Sequence, residues 1–138
     1  QRLRDDRRAE ARRRTLALLE SLRPDATPLN RLVIRSAGRV FLLRVEEIDW
    51  FEAEAQYVRV HAGKDSHLFR QAIGALEPRL DPKHFVRIHR SAIVNLDRVR
   101  MLEPSFHGDY RVVLRDGKRL TLSRSRRKKL ASLLRSPL

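Results

Sequence analysis

Two short segments carry the side chains whose types and spacing could do chemistry: residues 85–96 (FVRIHRSAIVNL) and residues 123–129 (SRSRRKK). In the first, strand alternation would put Arg90 on the same face as the apolar residues Val86, Ile88, Ala92, Val94 and Leu96. An unpaired charge is costly to bury, so we predict a break near His89–Ser91, by a bulge or a loop, that aims Arg90 outward. A guanidinium there can bind a guanine edge or a phosphate, or alternatively form a structural ion pair with Asp97 or Glu52.

The second segment puts cations where a helix normally favours anions. Its pattern predicts a helix capped by Ser123 or Ser125, whose first turns hold five basic residues, Arg124, Arg126, Arg127, Lys128 and Lys129. The positive end of the helix dipole makes this arrangement unfavourable unless an anion lies there, and the free backbone N–H groups suit a phosphate. The alternative is a charged face that only contacts solvent.

Enzyme chemistry finds no support in the remaining residues. The chain has no cysteine, its five histidines lack metal-ligand spacing, and it contains no HExxH, phosphate-binding GxxxxGK or nucleophile-elbow motif. We therefore predict no catalytic residue, no metal and no cofactor.

The formal net charge of +14 is concentrated towards the C-terminus. Residues 84–138 hold 14 Lys and Arg against 4 Asp and Glu, whereas residues 31–83 hold 9 against 8. Such a field favours polyanions: nucleic acid first, then an anionic membrane surface, then an acidic protein.

The length of 138 residues fits one globular domain with an N-terminal extension. Residues 1–23 favour an arginine-rich helix, either a solvated connecting helix or a weak partner-pairing helix. PDATPL (24–29) favours a linker, so the domains are predicted as 1–29 and 30–138. No export signal or membrane span is present in the sequence, so we expect a cytoplasmic protein. The start at Gln1, with Met101 as the sole methionine, suggests a fragment of a longer polypeptide.

From residue 30 onward the hydrophobic period is two, which predicts a mainly β domain. Short strands are expected in RLVIRS, RVFLLRV, IDWFEAEA, YVRVHA and HLFR, followed by a short helix in QAIGALEPRL. Asp116–Gly117 predicts a tight hairpin between YRVVLR and KRLTLS, with Tyr110, Val112 and Leu114 on the same face as Leu120 and Leu122. In the terminal helix, three residues are expected to face the sheet: Leu130, Leu133 and Leu134.

These segments together resemble the LytTR DNA-binding domain, the output module of many bacterial response regulators. The resemblance covers roughly residues 30–135 and rests on IDWFEAEAQYVRVH, FVRIHRSAIVNLDRV and YRVVLRDGKRLTLSRSRRKKL, in that order. It implies small antiparallel sheets with one or two short helices, and DNA contacts made by loops between strands. It also implies binding to double-stranded promoter repeats as a homodimer, and an upstream receiver domain.

Carried over to this sequence, the resemblance assigns Gln56 and Tyr57 to one DNA contact and Arg90 and Ser91 to another. The segment SRSRR contributes Arg124 and Arg126, and the same basic run includes Arg127 and Lys128. A carboxylate, Glu54, lies beside the first contact.

Two other functions are weighed against duplex binding. A β module for single strands or RNA would need aromatic platforms on a basic sheet face, and the chain has only eight Phe, Trp and Tyr residues. A basic domain that binds protein or membrane would use the N-terminal helix, whose apolar face is weak.

Overall fold

The computed structural model describes residues 27–135, so the helix predicted over residues 1–23 and the first three residues of the linker predicted over 24–29 lie outside them. Ten strands occur in this part of the chain: β1 (Arg31–Ser36), β2 (Arg39–Arg44), β3 (Trp50–Glu54), β4 (Tyr57–Ala62), β5 (Asp65–Phe69), β6 (Phe85–His89), β7 (Ala92–Asn95), β8 (Val99–Pro104), β9 (Tyr110–Leu114) and β10 (Arg119–Leu122). Two α-helices accompany them, α1 (Ile73–Leu76) and α2 (Arg124–Leu134). Single 3₁₀ turns lie at Val45–Glu47, Glu77–Arg79 and Leu96–Arg98.

The strands form three antiparallel sheets, which confirms the predicted mainly β fold. The central sheet has five strands in the order β5-β4-β3-β7-β6. A two-stranded sheet, β1-β2, and a three-stranded sheet, β10-β9-β8, complete the set. Strand β8 was not predicted, because neither set of alternate residues in VRMLEP is wholly apolar: Glu103 interrupts one set, and Arg100 and Pro104 the other.

The central sheet is buried on both faces at β3, β7 and β6, where each face belongs to its own core. One core includes Phe51, Val58, Val60 and Ile93, and packs against Leu32 and Ile34 of β1 and against α1. The other includes Trp50, Val86, Ile88 and Val94, and packs against the three-stranded sheet and Leu130 of α2. The β1-β2 layer and α2 therefore lie on opposite faces of the central sheet.

The predicted break in residues 85–96 is a chain reversal. Strands β6 and β7 pair as a hairpin, with Val86 opposite Val94, and the chain turns at Arg90 and Ser91. The ladder register shifts between Arg87 and His89. The predicted shared apolar face is confirmed, but it forms across a hairpin rather than along one strand.

The hairpin predicted at Asp116–Gly117 is confirmed, but its turn differs from the two-residue form. Gly117 alone takes a positive φ, of 94°, and its N–H bonds to the carbonyl of Leu114. Asp116 instead accepts the N–H of Lys118 through its side chain, at 2.9 Å. The loop thus has three residues, 115–117, with glycine at the left-handed position.

Two expectations for the terminal helix α2 are wrong. Ser123 occupies the N-cap position but makes no capping hydrogen bond with its side chain, which lies 3.3 Å from the hydroxyl of Ser125. Leu130 is buried in the core that it shares with the central sheet, whereas Leu133 and Leu134 are exposed. No helix within residues 27–135 has the length and apolar character needed to cross a membrane.

Candidate nucleic-acid interface

The turn between β6 and β7 presents Arg90 on the surface. Arg90 is exposed, and the two carboxylates considered as its partners are bound elsewhere. Asp97 lies 3.4 Å from His84, and Glu52 lies 3.0 Å from His61. The structure therefore does not support the structural ion pairs considered for Arg90.

Ser91, the second turn residue, is held against the domain. Its N–H donates to Nδ1 of His89 at 3.2 Å, and its hydroxyl lies 2.8 Å from the same atom. Its carbonyl accepts the N–H of Ala53 in β3 at 2.8 Å. Ser91 is half-buried, so its part in this turn is at least partly structural.

The turn between β3 and β4 carries the other predicted contact. Ala55 and Gln56 connect paired residues Glu54 and Tyr57, and Ala55 has a φ of 57°. Gln56 is exposed and Tyr57 keeps 39% of its surface accessible. An L-residue in the left-handed region is strained, so the tightness of this turn comes from the strand pairing around it.

Glu54, the carboxylate beside this turn, is paired with a cation. Arg59 donates to it from Nε at 2.8 Å and from Nη2 at 3.3 Å. The hydrogen bond from Arg59 lowers the pKa of Glu54, and the same bond raises the pKa of Arg59. The turn therefore does not present an uncompensated negative charge.

The two turns lie next to each other at one end of the central sheet. Strand β3 pairs with β7, with Glu52 opposite Ala92, and the bond from Ala53 to Ser91 extends this pairing into the turn. Sequence reasoning assigned Gln56–Tyr57 and Arg90–Ser91 to separate contacts, and the strand order brings them together.

The start of α2 adjoins the same end of the sheet. The N–H of Ser123 donates to the carbonyl of Ile88 at 2.8 Å, two residues before Arg90. No acidic residue occupies the first turn of α2. The basic run after Ser123 therefore begins beside the turn that carries Arg90.

The basic side chains of α2 have different surroundings. Arg124 is bound to the β8–β9 loop, since its Nε lies 3.0 Å from Asp109 and its Nη2 lies 2.6 Å from the carbonyl of His107. Arg127 is half-buried, with its guanidinium carbon 4.6 Å from the ring centre of Tyr110. Arg126 is half-buried, and Lys128 is exposed.

Sequence reasoning missed the side chains that support these turns. Arg59 neutralises Glu54, and Arg87 contacts the carbonyls of the Arg90 turn. Buried Asn95 donates to the carbonyl of Ile48 at 2.9 Å and accepts the N–H of Asp97 at 3.1 Å. An asparagine within the apolar run AIVN was the one available signal, because a buried amide needs specific partners.

Comparison with known proteins shows the same family along most of the chain. The sequence profile described as LytTr DNA-binding domain matches residues 38–135. Sensory transduction protein LytT of Bacillus subtilis is 25% identical over 105 residues, which cover 76% of this chain and 44% of LytT. Transcriptional regulatory protein YpdB of Escherichia coli K12 is 31% identical over 97 residues, covering 70% of this chain and 40% of YpdB.

A third relative and a solved structure agree with these matches. The positive alginate biosynthesis regulatory protein of Pseudomonas aeruginosa is 31% identical over 99 residues, with 70% of this chain and 40% of that protein covered. A solved LytTr DNA-binding domain from Bacillus cereus superposes with a TM-score of 0.70 at 21% identity, covering 77% of this chain and 97% of that one. The chain spans less than half the length of these curated relatives.

Proposed function

The chain belongs to the LytTr DNA-binding domain family, and we propose that it binds double-stranded DNA sequence-specifically as the output domain of a two-component response regulator. The family comprises DNA-binding domains of transcriptional regulators and is not an enzyme family. The observation that carries the proposal is that two exposed turns and the basic start of α2 adjoin one end of the central sheet.

Different side chains on this surface have different proposed roles. Arg90 reads a base edge, because it is exposed at a turn and its guanidinium matches the paired acceptors of guanine. Gln56 and Tyr57 contact DNA from the adjacent turn, and Ser91 supports or joins the contact of Arg90. The cations of α2 bind phosphates, which accounts for their place at the positive end of the helix: Arg124, Arg126, Arg127 and Lys128.

The partners proposed for the whole protein follow from its relatives. The domain binds repeated promoter elements as a homodimer in the cytoplasm, and a receiver domain precedes it in the longer protein. Relatives described as sensory transduction and transcriptional regulatory proteins, of which this chain covers less than half, support the receiver domain.

Binding of single strands is less well supported by the described residues. Trp50, Phe51 and Phe85 are buried in the two cores of the central sheet, and Tyr110 is covered by Arg127. The central sheet therefore presents no row of exposed rings on which successive bases could stack.

The direct test is selection of bound duplexes from a random pool at a stated salt concentration, with single strands as competitors. We expect a recurring sequence element, present twice at a fixed spacing if the domain binds as a dimer. The proposal would be contradicted if no sequence element were enriched, or if single-stranded competitors displaced the duplex more effectively than duplex competitors did.

Replacement of Arg90 by alanine tests the base contact. Loss of a bidentate contact to a base should cost about 1–3 kcal/mol on the selected duplex and relax the preference at one position. The matched control is Arg39→Ala, which removes the same charge from an exposed residue at the start of β2, in the layer on the opposite face of the central sheet from α2. Equal losses on selected and scrambled duplexes would instead assign Arg90 to a phosphate.

A further inference from the structure

Arg87, in the middle of β6, joins the Arg90 turn to the segment after α1. Its Nη1 lies 3.0 Å from Oε1 of Glu77, its Nε donates to the carbonyl of His89 at 3.3 Å, and its Nη2 donates to the carbonyl of Arg90. The side chains of Arg87 and Glu77 are only 15% and 30% exposed. One guanidinium thus connects a carboxylate on one element to two successive carbonyls of another.

The turn requires such a donor because its own ladder is irregular. The register of β6 with β7 shifts between Arg87 and His89 before the ladder closes at the pair His89 and Ala92, so the last residues of β6 follow an irregular backbone path. A planar guanidinium can direct several N–H groups at fixed angles, which the single ammonium of a lysine cannot do. Because the site is largely shielded from solvent, hydrogen bonds to the charged group are stronger than on an open surface.

The remaining backbone of the turn is held from its other side. The N–H of Ser91 donates to His89, and the carbonyl of Ser91 accepts from Ala53. The backbone of both turn residues is therefore fixed within the protein, while the side chain of Arg90 extends from it into solvent.

We infer that Arg87 is a positioning residue that sets the direction of Arg90 at the DNA, with Glu77 holding Arg87 in place. The inference rests on the proposed function. Arg87 is half-buried, neutralised by Glu77 and bonded through all three nitrogens within the protein, so it acts on DNA recognition through the turn rather than as a phosphate ligand. Arg90, which contacts the base, is thus positioned by Arg87, three residues before it in sequence, and by Glu77, further away still.

Conservative variants separate this role from a charge effect. Arg87→Lys keeps the charge but removes the fork, so the ratio of affinities for selected and scrambled duplexes should fall about threefold to tenfold. Glu77→Gln removes a negative charge, which by simple electrostatics would strengthen binding to both duplexes. We expect the ratio of affinities for selected and scrambled duplexes to fall in Glu77→Gln as well, which a uniform gain in electrostatic attraction would not produce. An unchanged ratio in both variants would overturn the inference.

A double variant tests whether the effect passes through Arg90. In an Arg90→Ala background, Arg87→Lys should change the affinity ratio by less than about twofold, because the aimed side chain is gone. An equal fall in the ratio with and without Arg90 would place the action of Arg87 elsewhere and overturn the inference.

A readout without DNA separates this inference from the proposed function. Backbone NMR order parameters at residues 90 and 91 should fall in Arg87→Lys and stay unchanged in Arg119→Lys, which alters the Arg119–Glu103 ion pair of the three-stranded sheet. Thermal unfolding of each variant establishes that it is folded. If the turn stays rigid in Arg87→Lys, the inference is wrong even if the domain binds DNA. If the turn loosens but the domain selects no duplex, only the proposed function is wrong.

Discussion

At the scale of single residues, the pairing of Glu54 with Arg59 decides the sign of the charge beside the β3–β4 turn. The carboxylate belongs to the last residue of β3, next to the exposed Gln56. Without its partner it would repel phosphates approaching the turn. Arg59 therefore permits an acidic residue in a surface proposed to bind a polyanion.

We predict that the carboxyl group of Glu54 titrates below the ordinary range of glutamate, because the hydrogen bond from Arg59 lowers its pKa. A lowered folded-state pKa contributes stability above the unfolded-state value, and this contribution is lost as pH falls through the folded-state value. The pairing therefore contributes stability at neutral pH and ceases to do so in acid. An NMR titration of the side-chain carboxyl should give a higher midpoint in Arg59→Gln, and identical midpoints would contradict the assignment.

Exposed residues were easier to predict from the sequence than the partners with which residues form ion pairs. Arg90 was identified because it interrupts an apolar pattern, a signal contained within the segment itself. The sequence did not identify Arg59 as the partner of Glu54. Arg59 stands opposite Glu52 in the ladder, and Glu54 contacts it diagonally across the two strands. Such a contact depends on strand register and twist, neither of which the local pattern specifies.

At the scale of the elements, turn chemistry explains which hairpins the sequence disclosed. Gly38 and Gly117 mark the β1–β2 and β9–β10 turns, and both have positive φ. The β6–β7 turn consists of Arg90 and Ser91, which carry no such signal, so a break was predicted without a reversal of direction. The reversal comes from pairing and burial of apolar residues on both arms, which is a tertiary effect.

The β1–β2 turn offers a test of backbone strain. Ala37 and Gly38 have φ values of 52° and 75°, the pattern of a turn that favours Asn-Gly. Ala37→Asn should therefore stabilise the domain by about 0.5–1 kcal/mol, since asparagine tolerates the left-handed region better than alanine. Urea unfolding measures the change. A Gly38→Ala variant should move stability in the opposite direction, and a gain there would contradict the strain argument.

At the scale of the whole molecule, the burial of both faces of β3 and β7 explains why the layers around the central sheet were hard to foresee. Strands buried on two sides lack a polar face, so Trp50–Phe51 and Ala92–Val94 read as continuous apolar runs. The sequence therefore predicts strands here but not which core each residue enters. The assignment becomes visible only once β1-β2 and α2 are seen on opposite faces.

The uneven charge predicts a strong dependence of DNA affinity on salt. Each phosphate contact removed should reduce the slope of log affinity against log salt by about 0.9. We expect reductions of this size for Arg126→Ala and Lys128→Ala, and a smaller one for Arg124→Ala, because Asp109 already neutralises Arg124 in part. Affinities measured at several salt concentrations give the slopes. An unchanged slope for all three variants, as expected of Arg39→Ala, would exclude the start of α2 from the interface.

The strand order also fixes the distance between the two turns proposed to touch DNA. The β3–β4 and β7–β6 hairpins are neighbours in one sheet, so their turns are separated by two strand spacings, about 10 Å. Hydrogen-bonded strands neither stretch nor slide, whereas one inserted base pair would move the second contact by about 3.4 Å along the duplex. A DNA site for this domain should therefore tolerate a base substitution more readily than an insertion or deletion between the base pairs that the two turns contact.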